Sequence, residues 1–526
     1  MKRNLTLLFI ISLLLFLHNS SRAQEWKDVA AIIYDNCSTC HRPGEIGPFS
    51  LLSYHDASDP NHVLNIQSYV NSGLMPPWKA DPAYTHFLDE RVLTQGEKDL
   101  ISNWVDAGAP AGDTTLAPSP PTFPTGSQLG TPDLVLHVTQ PYTKPADDLD
   151  HYMCFVLPTN VLQTENVSAF EFRPGNASIV HHAFVYICPD SSAYNEDLLT
   201  PEYGYQSFGG VGDGVNANLF TLYGPGMFPR FYPAGGITHL PANSFVVLQI
   251  HYAPSAYEAT DSSSINIFYS SLPSPRQVHD KIIGEGYITN GPFNILAYEV
   301  DTFYSEFPVN SEMSLFSIAP HQHLLGRAYK IFGVTPTQDT IPLISIPQWD
   351  FHWQLLYSYP FMVHLPAGTH IHAMAVYDNT TNNPNNPNDP PVNVHYGESS
   401  TDEMFKYFIN WLEYQSGDES LIIDSTWNIP TPSPPLDGIV STPQLYSCSP
   451  NPASDHVVIS YFLPASETVQ LFVYDLAGKL VTQPFAPSGI GLQRINLDIS
   501  KLTQGLYFCT LKTSGGILTK QFIVQH

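Results

Sequence analysis

Two hydrophobic periods divide the chain. Near the N-terminus, Leu100, Ile101, Trp104 and Val105 recur at helical spacing within Thr94 to Ala107, and Trp26 to Asp35 supplies a second run fit for a helix. Beyond residue 133 the pattern changes to short β-branched and aromatic runs closed by turn residues, such as Phe245 to Tyr252 and Ala373 to Tyr377. These predict antiparallel strands as far as Asn428. The C-terminal end repeats the pattern in tighter form: Val457 to Phe462, Val469 to Tyr474, Gln493 to Leu497 and Leu506 to Leu511 read as strands, with Asp475 to Lys479 as a turn. Ala109 to Pro132 and Ile429 to Pro443 follow neither period; rich in Pro, Gly, Ser and Thr, they predict extended, semi-stiff connections. At the start, Lys2 and Arg3 precede an apolar run from Leu5 to Leu17 and a polar stretch ending at Ala23, the pattern of a secretory signal peptide. The run is shorter than the ~20 apolar residues that span a bilayer.

The expected organisation is therefore mainly β. A signal peptide over 1–23 is followed by a small all-α domain over 25–113, a linker over 114–132, antiparallel β-sandwiches over 133–275 and 276–428, a second linker over 429–443 and a small β-sandwich over 444–526. A length of 526 residues agrees with several domains. Composition narrows the partners. Asp and Glu number 48 against 21 Lys and Arg, a net charge of −27 that repels polyanions and excludes nucleic acid as a partner. Only 13% of residues are charged while 47 are proline, which disfavours coiled coils and bundles. Six cysteines are too few for a disulfide scaffold in a chain this long.

Two of those cysteines stand in Cys37-Ser38-Thr39-Cys40-His41, the C-x-x-C-H run by which two thiols bind haem vinyl groups and a histidine binds the iron. A redox dithiol or half a zinc site is the alternative, but no second cysteine pair lies nearby. Met75, in Leu74-Met75-Pro76-Pro77-Trp78, is the expected second axial ligand, with His86 its competitor. Together with the two helices, these residues resemble a small class I cytochrome c over residues 25 to 113. The resemblance implies one covalently attached c-type haem.

Twenty-one histidines need spacing to discriminate among them. His321-Gln322-His323 has period two, so on a strand both rings point to one face and can share a metal. His370 and His372 have the same period and are read as strand residues. Neighbours such as His181-His182 face opposite ways on a regular strand, and joint ligation requires a bulge, a strand end or unusual ring nitrogens. Order then adds information: Val180-His181-His182-Ala183-Phe184, Leu248-Gln249-Ile250-His251-Tyr252, His321-Gln322-His323-Leu324-Leu325-Gly326 and Ser399-Ser400-Thr401-Asp402-Glu403-Met404. In sequence and spacing these resemble the copper type II ascorbate-dependent monooxygenases, the family of the peptidylglycine α-hydroxylating and dopamine β-monooxygenases, over about residues 133 to 415. The resemblance implies two jelly-roll-like sandwiches and two copper ions. His181, His182 and His251 would hold the electron-transfer copper, with Gln249 beside it. His321, His323 and Met404 would hold the catalytic copper that meets dioxygen and substrate. A thioether favours Cu(I), the state that must meet dioxygen.

Where amidating members of that family grip a substrate carboxylate, this chain has Ala319, Lys406 and Phe408, so the peptide anchor is absent. The expected substrate is a small-molecule or peptide-like organic compound with an aliphatic or benzylic C–H bond. Dioxygen is the co-substrate, and an external donor, ascorbate or another reductant, supplies electrons through the haem or directly. A non-catalytic extracellular electron-transfer or copper-binding haem protein is the alternative, and a glycan-binding surface protein a third. Cys154 with Cys188, and Cys448 with Cys509, are left open as pairs. Finally, Pro450-Asn451-Pro452-Ala453, Asp455, Val473-Tyr474-Asp475, Gly478, Gly505-Leu506-Tyr507 and Lys520 make residues 444 to 526 resemble a type A sorting domain of the type IX secretion system. That resemblance implies contact with the secretion machinery, passage through the periplasm and release to the surface or medium of a Gram-negative bacterium.

Overall fold

In the computed structural model the described residues are 24–421 except 125 and 148, residue 423 and, in the tail, 443–445, 448, 453–463, 467–476, 478–484, 486, 491–514 and 516–525. The signal peptide over 1–23, nearly all of the linker over 429–443, and Pro450 to Pro452 of the tail motif lie outside them. The described residues are mainly β, and among them no helix is long and apolar enough to cross a membrane. Residues 1–430 form one compact unit and 431–526 a second.

Three helices follow from the apolar spacing near the N-terminus: α1 (Trp26–Asn36), α2 (Val63–Ser72) and α3 (Gln95–Asp106). Thr94 caps α3 through a capping box with Glu97. Val29, Ile33, Ile101 and Trp104 meet in the helical core, where Trp26 packs 5.7 Å from Trp104. Residues 78–91, between α2 and α3, leave that core for the sandwiches. Ala80 and Phe87 are buried in the core of the second sandwich, with Phe87 5.1 Å from Tyr359. Backbone bonds from Asp81 N to Ser345 O (2.8 Å) and Leu88 N to Ser358 O (2.8 Å) fix the segment. Ion pairs of Lys79 with Asp350 (3.0 Å) and of Asp89 with Arg230 add to these. The connection that follows is also tied down: Arg42 lies 3.8 Å over Phe123, and Gln128 N donates to buried Glu171 (2.7 Å).

The principal strands of the first half are β1 (His151–Pro158), β2 (Glu165–Arg173), β3 (Val180–Cys188), β4 (Asn218–Tyr223), β5 (Gly236–Leu240), β6 (Phe245–Tyr252) and β7 (Ser264–Tyr269). Those of the second are β8 (Arg276–Ile283), β9 (Val300–Pro308), β10 (Met313–His321), β11 (Gly326–Val334), β12 (Tyr357–Leu365), β13 (His370–Asp378) and β14 (Lys406–Glu413). One eight-stranded sheet crosses both halves in the order Leu134–His137, β7, β2, β5, β8, β14, β10, β12. The halves join where β8 lies parallel to β5, Arg276 opposite Gly236. A five-stranded sheet (Tyr205–Gln206, β1, β6, β3, β4) covers the first part of it, and a four-stranded sheet (β9, β13, β11, Thr340–Ile346) covers the second. Each cover shares an apolar core with the long sheet, one around Phe155, Val167, Leu248 and Ile267 and the other around Leu315, Ile331, Ala375 and Ile409. Thus the two sandwiches of the sequence reading share one layer.

The tail folds by itself into a three-stranded and a four-stranded sheet around Val457, Ile459, Leu471, Val473, Leu511 and Phe522. Four of its strands coincide with the alternating runs, and Gln444–Leu445, Leu480–Thr482 and Gly516–Val524 add three more at the edges. Gly478, at a φ of 78° that favours glycine, closes the turn from Asp475 to Lys479.

Candidate metal centre

β3 and β6 are neighbours in the five-stranded sheet, and their register opposes His182 to His251. The ladder slips between Val180 and His182. This bulge breaks the alternation that would send consecutive side chains to opposite faces, and it brings His181 to the same side. Three Nδ1 atoms then converge: His181 to His182 at 3.2 Å, and His251 to His182 at 3.3 Å. Among the described residues this trio is the group of three whose ligand atoms all lie within 4.8 Å of one another. Of the three alternatives named for joint ligation, the bulge is present, and the converging atoms are the Nδ1 nitrogens.

The far nitrogen of His251 is taken up: its Nε2 pairs with Asp150 at 2.7 Å. A carboxylate on the outer nitrogen fixes the tautomer and turns the inner one toward a metal. Tyr152 stacks on the same imidazole at 4.3 Å and 3°. Gln249 lies one pleat further on the same face of β6. Its amide donates to the Ser207 and Gly210 carbonyls, holding the loop whose Phe208 packs 4.4 Å from Tyr152. Burial, and then the neighbouring imidazoles, hold His182 far below its ordinary pKa and lower His181 to about 4. Neutral rings are the form that binds metal.

His321 and His323 stand at the end of β10, their rings 5.1 Å apart and perpendicular. Here the nitrogens are used the other way round. His321 Nδ1 meets Gln354 Oε1, and His323 Nδ1 donates to the Asp402 carbonyl at 3.1 Å, so both Nε2 atoms remain for a ligand. Glu403 knots the motif together: its buried carboxylate accepts from His323 N (2.9 Å), Leu325 N (2.6 Å) and Met404 N (3.1 Å). Burial pushes that carboxyl up to about 8 against the pull of these donors. Met404 is 4% exposed, and its carbonyl accepts from Tyr377 OH at 2.8 Å. The segment carrying it is thus bonded directly to the one carrying both histidines. Burial, with His323 and Lys406 adding, holds His321 far below its ordinary pKa.

Both groups open on one pocket lined by His181, His182, His321, Phe351, Leu355 and Phe408. Phe351 stands between them, its ring 6.2 Å from His181 and 5.8 Å from His323. Ala319 and Phe408 line the same space, whereas Lys406 is bound to Glu398 at 3.4 Å and lies over the Tyr396 ring. His370 and His372 are elsewhere, on β13, with His370 paired to Glu306 at the surface.

In the helical part, the Cys37 carbonyl accepts from both Cys40 N (3.2 Å) and His41 N (2.9 Å), forming a tight turn after α1. His41 Nδ1 donates to the Phe49 carbonyl at 3.2 Å, which leaves Nε2 free. Gly47 passes so close that a Cβ there would lie 2.6 Å from the Cys40 carbonyl and 2.9 Å from the His41 ring. A large cleft of about 1740 Å³, open solvent included, begins at Cys40 and runs between the helices and both sandwiches. On its wall, Arg91 is 7% exposed and its Nε has no partner, nor has the buried Trp78 Nε1. Orphaned buried donors beside a cysteine pair fit the porphyrin and its carboxylates. Met75 is half-buried after α2, its amide bonded to Tyr69 O (3.1 Å), while His86 is 73% exposed and bound to Glu90.

Cys154 and Cys188 are buried free thiols. They stand opposite Gln249 and Phe245 of β6, four residues apart, about 13 Å along the strand and beyond bridging distance. Cys448 and Cys509 are neighbours in the tail core, joined by a hydrogen bond between their side chains.

Asp150, Gln354, Glu403, Phe351 and Tyr152 escaped the sequence reading. Residues of these types carry no spacing signal, and each acts on a partner distant in sequence or through its backbone.

Comparison with known proteins adds one assignment. Residues 447–525 match the secretion system C-terminal sorting domain. The tail marks the protein for export to the cell surface or into the medium of a Gram-negative bacterium of the Bacteroidetes, in contact with the secretion machinery. No curated protein matches. Solved structures similar to this chain include the BSP domain of a biofilm associated protein, at 8% identity over 77% of this chain and 84% of that one, TM-score 0.14. A β-glucuronidase of Faecalibacterium prausnitzii has 10% identity over 44% and 38%, TM-score 0.13. A putative β-galactosidase of Bacteroides fragilis has 11% identity over 47% and 40%, TM-score 0.14. The chain spans less than half the length of these two enzymes. Scores this low bear on neither its fold nor its activity.

Proposed function

We propose that this is an exported copper-dependent monooxygenase that hydroxylates a C–H bond of a small uncharged organic substrate, with electrons entering through a c-type haem. The observation that carries this reading is one pocket with two ligand sets of opposite design. His181, His182 and His251 turn Nδ1 inward; His321 and His323 keep Nε2 free beside the buried Met404 segment. Three imidazoles suit a metal that changes only its charge, and two imidazoles with a thioether favour Cu(I). When bound, two copper ions and a haem supply one-electron chemistry and dioxygen activation, with ascorbate or another reductant as the external donor.

The chain's own residues do the rest. Asp150, Gln354 and the Asp402 carbonyl set the imidazole orientations. Phe351, Leu355, Phe408 and Ala319 give the pocket an apolar lining. The ion pair of Lys406 with Glu398 removes the nearest candidate anchor for a carboxylate, which favours an uncharged aliphatic or benzylic substrate. The test is oxygen uptake coupled to hydroxylated product in purified protein with counted copper and haem. Met404→Ala is expected to abolish both uptake and product while haem and the trio's copper stay bound. Unchanged turnover in that variant overturns the reading and leaves an exported electron carrier.

A further inference from the structure

The large cleft beside Cys40 and the histidine pocket are separate spaces with a common wall. Tyr223 is in both linings. It ends β4, the edge strand of the five-stranded sheet, and its register partner on β3 is Ala183, the residue after His182. Tyr223 thus lines both the cleft that reaches Cys40 and the pocket that His181 and His182 line. Burial raises the Tyr223 hydroxyl above its ordinary pKa, with the charge of Glu45 adding to the shift and that of Arg173 opposing it. Its other side packs on Phe172 at 4.9 Å. The helical part is held against this wall by Arg173 with Glu45 (3.3 Å) and by Arg91 Nη2 to the Gly226 carbonyl (3.0 Å), just beyond Tyr223. A tether that must find its docking site is not required, because the contact is built into the fold.

We propose that Tyr223 is the positioning residue that couples the haem seat at Cys37, Cys40 and His41 to the metal held by His181, His182 and His251. The inference rests on the haem–copper reading and deepens it by naming the route. The step is one electron: ferrous haem becomes ferric and copper(II) at the trio becomes copper(I), with no bond made or broken and no proton moved. Leu222 and Leu355 share the wall but are aliphatic. Phe408, also shared, lies opposite Ala319 on β10, toward the other histidine pair.

The experiment uses the mature full chain with haem attached and copper(II) loaded. Haem is reduced by a flash-generated donor, and its visible band and the copper(II) spin signal are followed together. In the parent protein the haem band is expected to decay as one equivalent of copper(II) signal is lost. Tyr223→Phe keeps the ring and is expected to retain the rate. Tyr223→Leu and Tyr223→Met are expected to slow it at least about tenfold, with haem midpoint potential and copper content unchanged. If the parent's haem keeps its electron, the haem-fed reading itself fails. If the parent transfers and both aliphatic variants match it, or if Phe408→Leu alone slows the transfer, the route through Tyr223 is overturned while the haem-fed reading stands.

Discussion

In three of the site's imidazoles, the partner of one nitrogen decides what the other is left to do. Asp150 occupies Nε2 of His251, and Gln354 and the Asp402 carbonyl occupy Nδ1 of His321 and His323. Outer partners of this kind set metal affinity by about 10–100-fold. Asp150→Ala is therefore expected to weaken copper at the trio by that range, measured by chelator competition; equal affinity would show that the carboxylate does not orient the ring. Gln249→Leu leaves two loop carbonyls without their donor. It is expected to cost about 1–3 kcal/mol, read from the denaturant midpoint, and to speed proteolysis within 207–215. The histidines were legible in the sequence because their order along the chain carries information. Their orienting partners were not, since Asp150 is one of many acidic residues and its partner is 101 positions away.

At the level of elements, the seam between halves is reinforced beside β8. Asp418 accepts from Arg276 at 2.8 and 2.7 Å and from Ser314 of β10 at 2.5 Å. Burial alone would raise its pKa, but these donors prevail and hold the carboxylate below its ordinary value. The sign follows from linkage: the unfolded chain takes up the proton at higher pH than the folded one, so folding stability rises with pH through this window. The contribution is complete above the unfolded carboxyl's pKa near ~3.9 and is lost as pH falls through the folded value. Asp418→Asn is expected to lower stability by about 2 kcal/mol at neutral pH and to flatten the acid limb of a urea-midpoint profile; an unchanged limb would remove Asp418 as its cause. Strands and helices were legible because period two and period 3.6 are local properties. Residues 78–91 were not: Ala80 stands between Lys79 and Asp81, Phe87-Leu88 is too short a run to carry a period, and only another element's core gives them burial.

For the molecule as a whole, the sorting tail predicts a change of address. A chain ending before residue 447 is expected to accumulate in the periplasm instead of at the surface or in the medium, as fractionation of the producing bacterium would show; unchanged export would deny the tail its role. Phe87→Ala tests the weld between helices and sandwiches. About 3–5 kcal/mol is the expected loss for a buried phenylalanine, and the N-terminal helices and the strands should melt earlier together. Separate melting of the two parts would show that the segment is decoration.

The strand pair β5 and β8 carries one last consequence. Because the long sheet continues through it, neither half keeps its sheet intact alone: cutting there exposes the edges of β5 and β8, which pair over Gly236 and Ile237 with Arg276 and Gln277. Isolated halves should clump on expression, and co-expressed halves should heal along that cut.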